Sequence, residues 1–212
     1  MILVFLGAAG SGKDTQAEIL ADKFGFKVIS SGQIFRDAMQ SGSAEGKETE
    51  AYVNSGKLVP DELVYRMLGK YLEVNKADNM IFTGTVRTKP QIELLDATLA
   101  KLGLKLDHAI YFKLDDAEAV KRISGRRYGP SGKMYHLDFK PPKVADIDDE
   151  TGEPLVQRDD DKPEAITKRL AEFHTNNTGL VAEYQRRGQL IEIDASQSIE
   201  HIAETVKRRL DL

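Results

Sequence analysis

Short apolar runs alternate with longer segments of helical periodicity along most of the chain. The runs occupy residues 2–6, 28–29, 80–82, 109–114 and 190–193. Continuous apolar runs of this length are typical of strands buried on both faces, and strands that alternate with helices usually form parallel sheets. The pattern therefore predicts an α/β fold of three layers, α/β/α, in which a five-stranded parallel sheet lies between helices.

Two helices near the carboxyl end can be placed from their patterns. Apolar side chains recur at helical spacing over 166–184, and Asp161 with Glu164 has the spacing of a capping box. We expect this helix to begin at Asp161 or Lys162. A last helix should follow Ser198. Its buried side should comprise Ile199, Ile202, Val206 and Leu210.

Two segments do not fit this alternation. Residues 30–60 resemble short helices broken at 41–43 and 55–56, so we expect a small helical insert there. Residues 125–160 are rich in Gly, Pro and Asp, and a structureless loop of this length is uncommon inside a compact domain, which predicts a small lid-like subdomain. The core domain should then comprise residues 1–29, 61–124 and 161–212.

The composition narrows the classes of function. Hydrophobic residues make up 41% of the 212 positions and charged residues 30%, which is ordinary for one globular domain. The formal net charge of -4 argues against nucleic acid as a main partner. No apolar run is long enough to cross a bilayer, the first residues lack the basic flank of a signal peptide, and the absence of cysteine excludes disulfides. We therefore expect a cytoplasmic protein with no nucleic-acid and no membrane partner, and a monomer by default.

A glycine-rich segment follows the first predicted strand directly. It reads Gly7-Ala8-Ala9-Gly10-Ser11-Gly12-Lys13-Asp14-Thr15-Gln16 and leads into a helical pattern. Strand, glycine-rich loop and helix form the context that a phosphate-binding loop requires, because glycines let successive backbone N–H groups surround a phosphate at a helix amino terminus. Lys13 would add a full charge at the terminal phosphates, and Thr15 would offer its hydroxyl to Mg²⁺. The strict pattern has the hydroxyl residue directly after the lysine, where this chain has Asp14.

The phosphate loop is the first of many matches to one family. Its ending, Gly-Lys-Asp-Thr-Gln, resembles the Gly-Lys-Gly-Thr-Gln of adenylate kinases. Further matches follow in the same order at residues 29–32, 36, 56–64, 87–91, 125–127, 135–136, 140–144, 151–153, 158–160 and 168–170. The resemblance implies a P-loop NTPase-like core, an acceptor-binding insert at 30–60 and the long form of the lid at 125–160. It also implies reversible phosphoryl transfer from Mg-ATP to AMP, giving two ADP.

The resemblance carries over a role for each matching residue. The implied catalytic residues are Lys13, Arg87, Arg126, Arg158 and Arg169. The implied ATP contacts are Gly10, Ser11, Gly12, Lys13, Asp14, Thr15, Arg122, Arg126, Tyr135, His136 and Gln197. The implied AMP contacts are Ser31, Gly32, Arg36, Lys57, Val59, Gly84, Arg87, Gln91, Arg158 and Arg169. This choice makes chemical sense, because phosphoryl transfer spreads negative charge over several oxygens and planar guanidinium groups suit such charge well.

The contacts to the two bases have simpler alternatives. The resemblance places the donor adenine against Arg122 and His136, and the acceptor base near Ser31, Val59 and Gln91. A glutamine amide can both donate to and accept from an adenine edge. His136 could equally be a packed lid residue, and Gln91 could equally lie on a helix surface.

The chain departs from the family pattern at two acidic positions. Where the family usually has Asp-Gly-Phe-Pro-Arg, residues 83–87 read Thr-Gly-Thr-Val-Arg, and the acid expected after Ser-Gly in the insert is Gln33. Both acids are associated with the Mg²⁺ site in the family. Asp14 could replace them in part, because it lies beside Thr15 at a helix amino terminus. Alternatively, Asp14 is only a first-turn residue.

The lid also departs from one form of the family. Some members hold the lid together with a four-cysteine zinc site, whereas this chain has Gly129, Ser131, Asp148 and Thr151 in the corresponding region. We therefore expect a polar hydrogen-bond network to support the lid, without structural zinc.

Two rival functions stay open. A kinase that accepts UMP, CMP or GMP, or uses another donor, would need only a few changed pocket contacts. A nucleotide-binding regulatory protein without efficient catalysis would explain the missing acids at Thr83 and Gln33. Retention of the basic phosphate ligands argues against this second rival.

Overall fold

The structure is a computed structural model that describes residues 1–54 and 59–212. In chain order its helices and strands are β1 (Ile2–Leu6), α1 (Lys13–Phe24), β2 (Lys27–Ser30), α2 (Ser31–Ser41), α3 (Ala44–Asn54), α4 (Asp61–Asn75), β3 (Met80–Thr83), α5 (Lys89–Lys101), β4 (His108–Lys113), α6 (Asp116–Ser124), β5 (Arg126–Tyr128), β6 (Met134–His136), α7 (Pro163–Arg186), β7 (Leu190–Asp194) and α8 (Ile199–Arg209). A short 3₁₀ turn (Asp159–Asp161) precedes α7.

Five parallel strands form the central sheet, in the order β2-β3-β1-β4-β7. Each apolar run identified in the sequence coincides with one of these strands, although the run 109–114 extends one residue beyond β4. The predicted α/β class and five-stranded parallel sheet are therefore confirmed.

Both faces of the sheet are buried, which explains why its strands read as continuous apolar runs. In β1, Ile2, Val4 and Leu6 join the hydrophobic cluster covered by α4, α5 and α7. The intervening Leu3 and Phe5 join the cluster on the opposite face, under α1 and α8. Successive strand residues point to opposite faces of the sheet. One cluster therefore lies between the sheet and the helices on each of its two faces.

The strand order creates a crevice at the carboxyl end of β1. This strand lies in the middle, with β3 on one side and β4 on the other. The chain first builds the β2-β3 side and then crosses to the β4-β7 side. Ligands of open parallel sheets bind at the carboxyl ends of the strands, where the order reverses in this way. The glycine-rich loop follows β1 and so lies at this point.

The start of α7 differs in two respects from its prediction. The helix begins at Pro163 and not at Asp161 or Lys162, and its N-cap residue, Lys162, makes no side-chain capping hydrogen bond. The predicted capping box with Glu164 is wrong, because Asp161 belongs to the preceding turn and its buried carboxylate lies 3.7 Å from Nη1 of Arg169. Spacing alone did not reveal this competing partner.

The amino terminus of α8 is largely as predicted. Oγ of Ser198 caps the helix by accepting from the N–H of His201 at 3.2 Å. Ile199 is 40% exposed, so its predicted burial is wrong, whereas the other three apolar residues of the stripe are buried. The carbonyl of Ile199 accepts from Nε2 of Gln16 in α1 at 2.9 Å, which ties the two helices together.

Within its described residues, the 30–60 segment contains two helices, α2 and α3, as expected. Gly42, with a φ of 66°, ends α2 at the predicted break. Gly46 allows the two helices to pack closely, since a Cβ there would overlap the carbonyl oxygen of Ala38. The second predicted break, at 55–56, lies outside the described residues.

A charged network joins α5 to the end of α7. The buried carboxylate of Glu183 accepts from Nη2 of Arg186 at 2.6 Å and from Nε of Arg187 at 2.8 Å, and it lies 3.4 Å from Nζ of Lys89. Arg187 also donates to Asp96 in α5 at 2.5 Å. The hydrogen bonds from Arg186 and Arg187 lower the pKa of Glu183 to about 2.

Replacing Glu183 with glutamine should remove part of the acid sensitivity of the fold. A carboxyl group whose pKa falls on folding stabilises the folded state above its ordinary pKa of 4.5, and this stabilisation is lost as the pH falls from there to about 2. Thermal unfolding over that range should show a steeper fall in melting temperature for the parent than for E183Q. Glu172→Gln, at an exposed position of the same helix, should keep the parent profile. Equal slopes for all three proteins would contradict the prediction.

Candidate active site

The glycine-rich loop joins the carboxyl end of β1 to the amino terminus of α1. Gly10 and Gly12 have φ values of 83° and 79°, which glycine adopts without the steric cost of a Cβ. The loop is also closely packed, since a Cβ at Gly10 would lie 2.9 Å from the carbonyl oxygen of Ala119 in α6. Ser11 is fully buried, and its Oγ has no hydrogen-bond partner within the described part of the chain. The helix that begins at Lys13 directs the positive end of its dipole toward this loop, so an anion fits here.

Two arginines lie within electrostatic range of Lys13 beside the loop. Nζ of Lys13 lies 3.5 Å from Oδ2 of Asp14, and the Lys13 side chain is only 17% exposed. Burial lowers the pKa of Lys13, the carboxylate of Asp14 opposes this shift, and the charges of Arg126 and Arg87 lower the pKa further. Two arginines therefore lie within electrostatic range of Lys13, one from β5 and one from the connection between β3 and α5. Such a concentration of positive charge is complementary to a polyphosphate.

Three predicted arginines, Arg126, Arg158 and Arg169, lie near Tyr128 or its neighbour Asp161. The guanidinium carbon of Arg158 lies 3.6 Å from the centroid of the Tyr128 ring. Burial raises the pKa of the Tyr128 hydroxyl, the charge of Asp161 adds to this, and the charges of Arg126 and Arg158 oppose it. Asp161 in turn lies 3.7 Å from Nη1 of Arg169. Arg126, Arg158 and Arg169 are thus gathered around Tyr128 and Asp161, where the 125–160 segment meets the core.

The second predicted subsite lies at the carboxyl end of β3. Oγ of Ser31 donates to the carbonyl oxygen of Gly84 at 3.0 Å, and Nε of Arg87 donates to the same oxygen at 3.2 Å. Gly84 has a φ of 67°, and a Cβ there would lie 3.6 Å from Nη2 of Arg87. A Cβ at Gly32 would similarly lie 3.5 Å from Nη1 of Arg36. The structure therefore brings Ser31, Gly84 and Arg87 together, with Arg36 nearby on α2.

Gln91, predicted to contact the acceptor base, is engaged in the protein. Its Oε1 accepts from the backbone N–H groups of Arg87 and the following residue, at 2.6 and 3.2 Å, in a capping box for α5. Its Nε2 donates to Asp61 at 2.6 Å, which leaves one amide hydrogen for a ligand. Of the other predicted acceptor residues, Val59 packs against the cluster under α4. Lys57 lies outside the described residues.

Arg122 in α6 and His136 in β6 are joined by a hydrogen bond. Arg122 donates from Nε to Glu118 at 2.8 Å and from Nη1 to the carbonyl oxygen of Ala195 at 2.9 Å. Nδ1 of His136 accepts from the N–H of Asp138 at 3.0 Å, so the proton of the neutral ring is on Nε2, which donates to the carbonyl oxygen of Arg122 at 2.8 Å. Both ring nitrogens are occupied, His136 is only 7% exposed, and its ring packs against Phe139 with the two centroids 4.5 Å apart, which favours the alternative of a packed residue.

Gln197 lies in the loop between β7 and α8, which Arg122 also contacts. Its Nε2 donates to Oδ2 of Asp194 at 3.1 Å, and the N–H of Ser196 donates to the other oxygen at 2.9 Å. The hydrogen bonds from Ser196 and Gln197 lower the pKa of Asp194 to about 2. The loop next to Arg122 is therefore held by a charged carboxylate at neutral pH.

A buried carboxylate holds the lid segment together, where β5 and β6 pair antiparallel. Asp148 is 1% exposed and accepts from the Tyr135 hydroxyl at 2.8 Å and from the N–H groups of Ser131 and Glu150, both at 3.1 Å. A Cβ at Gly129 would overlap the Asp148 carboxylate. The expected polar network is therefore confirmed. Tyr135, predicted as an ATP contact, has its side chain inside this network.

Asp148→Ala should loosen the lid segment without unfolding the core. Burial alone would raise the pKa of Asp148, but hydrogen bonds from Ser131, Glu150 and Tyr135 hold it below its ordinary range, so the group is charged at neutral pH. Its removal leaves the Tyr135 hydroxyl buried without its acceptor. Hydrogen exchange should become faster within 125–160 and stay unchanged in α4 and α5. Asp138→Ala, an exposed position of the same segment, is the control, and unchanged exchange in D148A would contradict the prediction.

The residues that hold the arginines in place were not predicted from the sequence. Glu118 binds Arg122 from four residues earlier in α6, a spacing that could have revealed it. Tyr128 lies under Arg158, and the ring centroid of Phe139 lies 5.9 Å from the guanidinium carbon of Arg122. These two aromatic contacts join residues far apart in sequence, and no local pattern predicts them.

Comparison with known proteins decides the family. A sequence model of the family described as adenylate kinase matches residues 5–189. Relatives named adenylate kinase from Chloroherpeton thalassium, Phytoplasma australiense and Lachnospira eligens are each 38% identical to this chain. The similarity covers 97%, 100% and 95% of this chain, and 96%, 98% and 96% of the respective relatives. The chain belongs to the adenylate kinase family.

Membership of the adenylate kinase family confirms the resemblance noted in the sequence. Adenylate kinases are phosphotransferases, and this chain is an enzyme of that class. The relatives do not favour a different acceptor base or a purely regulatory role. Within the described residues, no helix has the length and apolar character needed to span a membrane.

Proposed function

We propose that this adenylate kinase transfers the terminal phosphoryl group of Mg-ATP to AMP, giving two ADP in a reversible reaction. The observation that supports this most strongly is that Arg126 and Arg87, from two other segments, lie within electrostatic range of Lys13 and lower its pKa. Lys13 lies at a loop suited to donor phosphates, and Arg87 lies at the subsite formed with Ser31 and Gly84. A phosphoryl group between these two places would be in range of both nucleotides.

The chemistry requires positioning and charge. The transferring group spreads its negative charge over several oxygens, with the attacking and leaving oxygens roughly in line. Lys13 and the loop would hold the donor phosphates, and Arg36 and Arg87 would hold the acceptor phosphate. The three arginines gathered around Tyr128 would stabilise the charge that develops. The attacking oxygen of a monophosphate is already anionic near neutral pH, so no side chain has to remove a proton.

Closure of two segments over the substrates is part of the proposal. Residues 30–60 would carry the acceptor subsite and residues 125–160 the lid, both attached to a core of 1–29, 61–124 and 161–212. The lid segment supplies Arg126 and Arg158, so its closure would complete the cationic site and exclude water, which suppresses hydrolysis. We further propose a monomer that works in the cytoplasm in nucleotide biosynthesis, in keeping with a chain without cysteine.

The oxygen donors near Lys13 fit a magnesium ion that arrives with ATP. Thr15 lies in the first turn of α1, and the Asp14 side chain beside it is 65% exposed. At the end of β3, Thr83 and Thr85 are 4% and 3% exposed, and Oγ1 of Thr85 has no hydrogen-bond partner within the described residues. Among those residues, no group of three or more His, Cys, Asp or Glu side chains could hold a metal ion. Mg²⁺ often binds through one or two protein groups and substrate phosphates, so Thr15 and Asp14 would hold it while it neutralises phosphate charge.

The direct test is a product assay with four acceptors. The purified chain is incubated with Mg-ATP and AMP, GMP, CMP or UMP, and the diphosphates are separated by chromatography, with chelator controls. Rapid conversion of AMP alone would support the proposal. Conversion of several monophosphates would move the function to a broader monophosphate kinase, and no conversion despite nucleotide binding would move it to a regulatory protein.

Thr83→Asp should raise turnover and lower the magnesium concentration required. It places a carboxylate at the end of β3, where it can bind the water shell of a metal held by the phosphates. Thr83 is 4% exposed, so the added charge should also lower the melting temperature. Magnesium titrations of the initial rate should show an increase of about threefold at saturation. Thr83→Asn, which adds no charge, should not show this gain, and an equal or lower rate in T83D would count against the prediction.

A further inference from the structure

An aspartate–glutamine pair on α2 contacts one arginine of the acceptor subsite. Nε2 of Gln33 donates to Oδ1 of Asp37 at 2.6 Å, and Oε1 of Gln33 accepts from Nη2 of Arg36, also at 2.6 Å. The three side chains are neighbours on the helix surface, because residues three and four apart lie on one face. Both ends of the glutamine amide are therefore engaged, one by a carboxylate and the other by the guanidinium. We call Asp37 and Gln33 the α2 pair.

A second pair of the same composition joins α4 to α5. Nε2 of Gln91 donates to Oδ1 of Asp61 at 2.6 Å, and Oε1 of Gln91 accepts from the backbone N–H of Arg87 at 2.6 Å. The Arg87 side chain is held separately, since its Nε donates to the carbonyl oxygen of Gly84 at 3.2 Å. We call Asp61 and Gln91 the α4–α5 pair. Gln33 thus contacts the guanidinium of Arg36, Gln91 contacts the backbone of Arg87, and an aspartate fixes each glutamine.

We propose that the α2 pair and the α4–α5 pair are positioning residues that orient Arg36 and Arg87 toward the phosphate of the acceptor nucleotide. This rests on the proposed function, which assigns that anion to the subsite. In each pair the carboxylate decides which end of the amide faces the arginine. A carboxylate can only accept, so it holds the NH₂ group and leaves the carbonyl oxygen for the arginine. An amide that turned over would lose both hydrogen bonds.

A neutral amide can orient an arginine without neutralising it. A carboxylate at the position of Gln33, as the family usually has, would form an ion pair with Arg36. The amide oxygen supplies the direction of the hydrogen bond while Arg36 keeps its full charge for the ligand. The negative charge lies one side chain further away, at Asp37.

The α4–α5 pair also has a role in the fold that the test must separate. Asp61 is in the first turn of α4, and Gln91 completes the capping box of α5. Such contacts stabilise helices, and their loss lowers the stability of the whole protein. A loss of stability alone does not raise the KM of one substrate and spare the other. The informative quantities are therefore the KM for AMP, the KM for Mg-ATP and kcat, measured on the folded variants.

The experiment compares alanine and asparagine at both aspartates. Asp37→Ala and Asp61→Ala should each raise the KM for AMP and the AMP dissociation constant, from calorimetry, by about threefold to tenfold. The KM for Mg-ATP and kcat should stay within about twofold, because the donor site is not altered. Asparagine keeps an oxygen that accepts from the glutamine amide, so Asp37→Asn and Asp61→Asn should restore most of the AMP affinity. The exposed α2 pair provides the test on its own if D61A does not fold.

Matched controls exist on the same helices. Glu62→Ala removes a charge next to Asp61, and Gln40→Ala shortens an exposed glutamine of α2. Both should keep the parent KM for AMP. An unchanged KM for AMP in D37A and D61A, or equal increases for AMP and Mg-ATP, would overturn the inference. A parent protein that neither converts nor binds AMP would refute the proposed function itself, and the inference would fall with it before any variant is examined.

Discussion

Replacing Lys13 with methionine should lower kcat/KM for phosphoryl transfer by about three orders of magnitude. Lys13 lies at the start of α1 with its side chain 17% exposed, and its Nζ lies 3.5 Å from Asp14 and within electrostatic range of Arg126 and Arg87. Methionine keeps the length and the apolar contacts of the lysine stem but removes the charge that would stabilise the transferring group. The loss should therefore appear mainly in kcat, measured by steady-state assay of ADP formation from Mg-ATP and AMP.

The same substitution should leave the fold intact. Burial, Arg126 and Arg87 all lower the pKa of Lys13, so the folded protein without a ligand is an unfavourable environment for this charge. We expect the melting temperature of K13M to equal or exceed that of the parent. Lys23→Met, at an exposed position in the last turn of the same helix, should keep both activity and stability. Activity in K13M above about one tenth of the parent value would contradict the assigned role.

The central sheet was predictable because a strand buried on both faces is apolar at successive positions, and such a run is visible in the sequence. Every residue of β1 contributes to one of two hydrophobic clusters, so the strand has no polar position to interrupt the run. The cap of α8 at Ser198 was predictable for a similar reason, since a side chain and a backbone N–H three residues later suffice to form it. Local interactions of this kind need no knowledge of the rest of the chain.

The errors arose where a distant partner competed with a local pattern. Asp161 has the spacing of a capping residue, but its carboxylate lies beside Arg169 in the next helix. Ile199 fits the apolar stripe of α8, yet it is the first residue of the helix, and it remains 40% exposed. Burial at a helix end depends on which neighbour covers it, and periodicity does not contain that information.

The residues of the candidate site could be named from the sequence, but the contacts that hold them could not. The phosphate loop is a continuous motif, and the arginines follow from the ordered matches to the family. The contacts that hold those arginines form only when separate elements come together in the fold. Tyr128 lies under Arg158, and Gln91 hydrogen-bonds to both Asp61 and the backbone of Arg87. Gln91 illustrates the difference, because its match to the family suggested a base contact while the structure shows it bonded to protein at both ends of its amide.

Gly10→Ala should destabilise the protein by about 2 to 4 kcal/mol, which combines the cost of a left-handed backbone for alanine with the cost of overpacking. Gly10 has a φ of 83°, and a Cβ there would lie 2.9 Å from the carbonyl oxygen of Ala119 and 3.0 Å from Cγ1 of Ile123. Both neighbours are buried in α6. Relief of the clash requires the loop and α6 to move apart, so the donor phosphates should lose their binding geometry.

Gly25→Ala separates the cost of a left-handed backbone from the cost of overpacking. Gly25 ends α1 with a φ of 71°, and no atom lies within 4 Å of a Cβ placed there. Gly25→Ala should lower the free energy of unfolding only by the cost of the backbone conformation, about 1 to 2 kcal/mol by urea denaturation, and should keep the parent affinity for ATP.

The two variants should also differ in nucleotide binding. Because α6 also carries Arg122, displacement of α6 in G10A should weaken ATP binding at both the phosphates and the base. AMP is assigned to residues of α2 and of the β3–α5 connection, so its affinity in G10A should be retained. Equal ATP affinity in G10A and G25A would show that the packing of the loop against α6 does not shape the donor site.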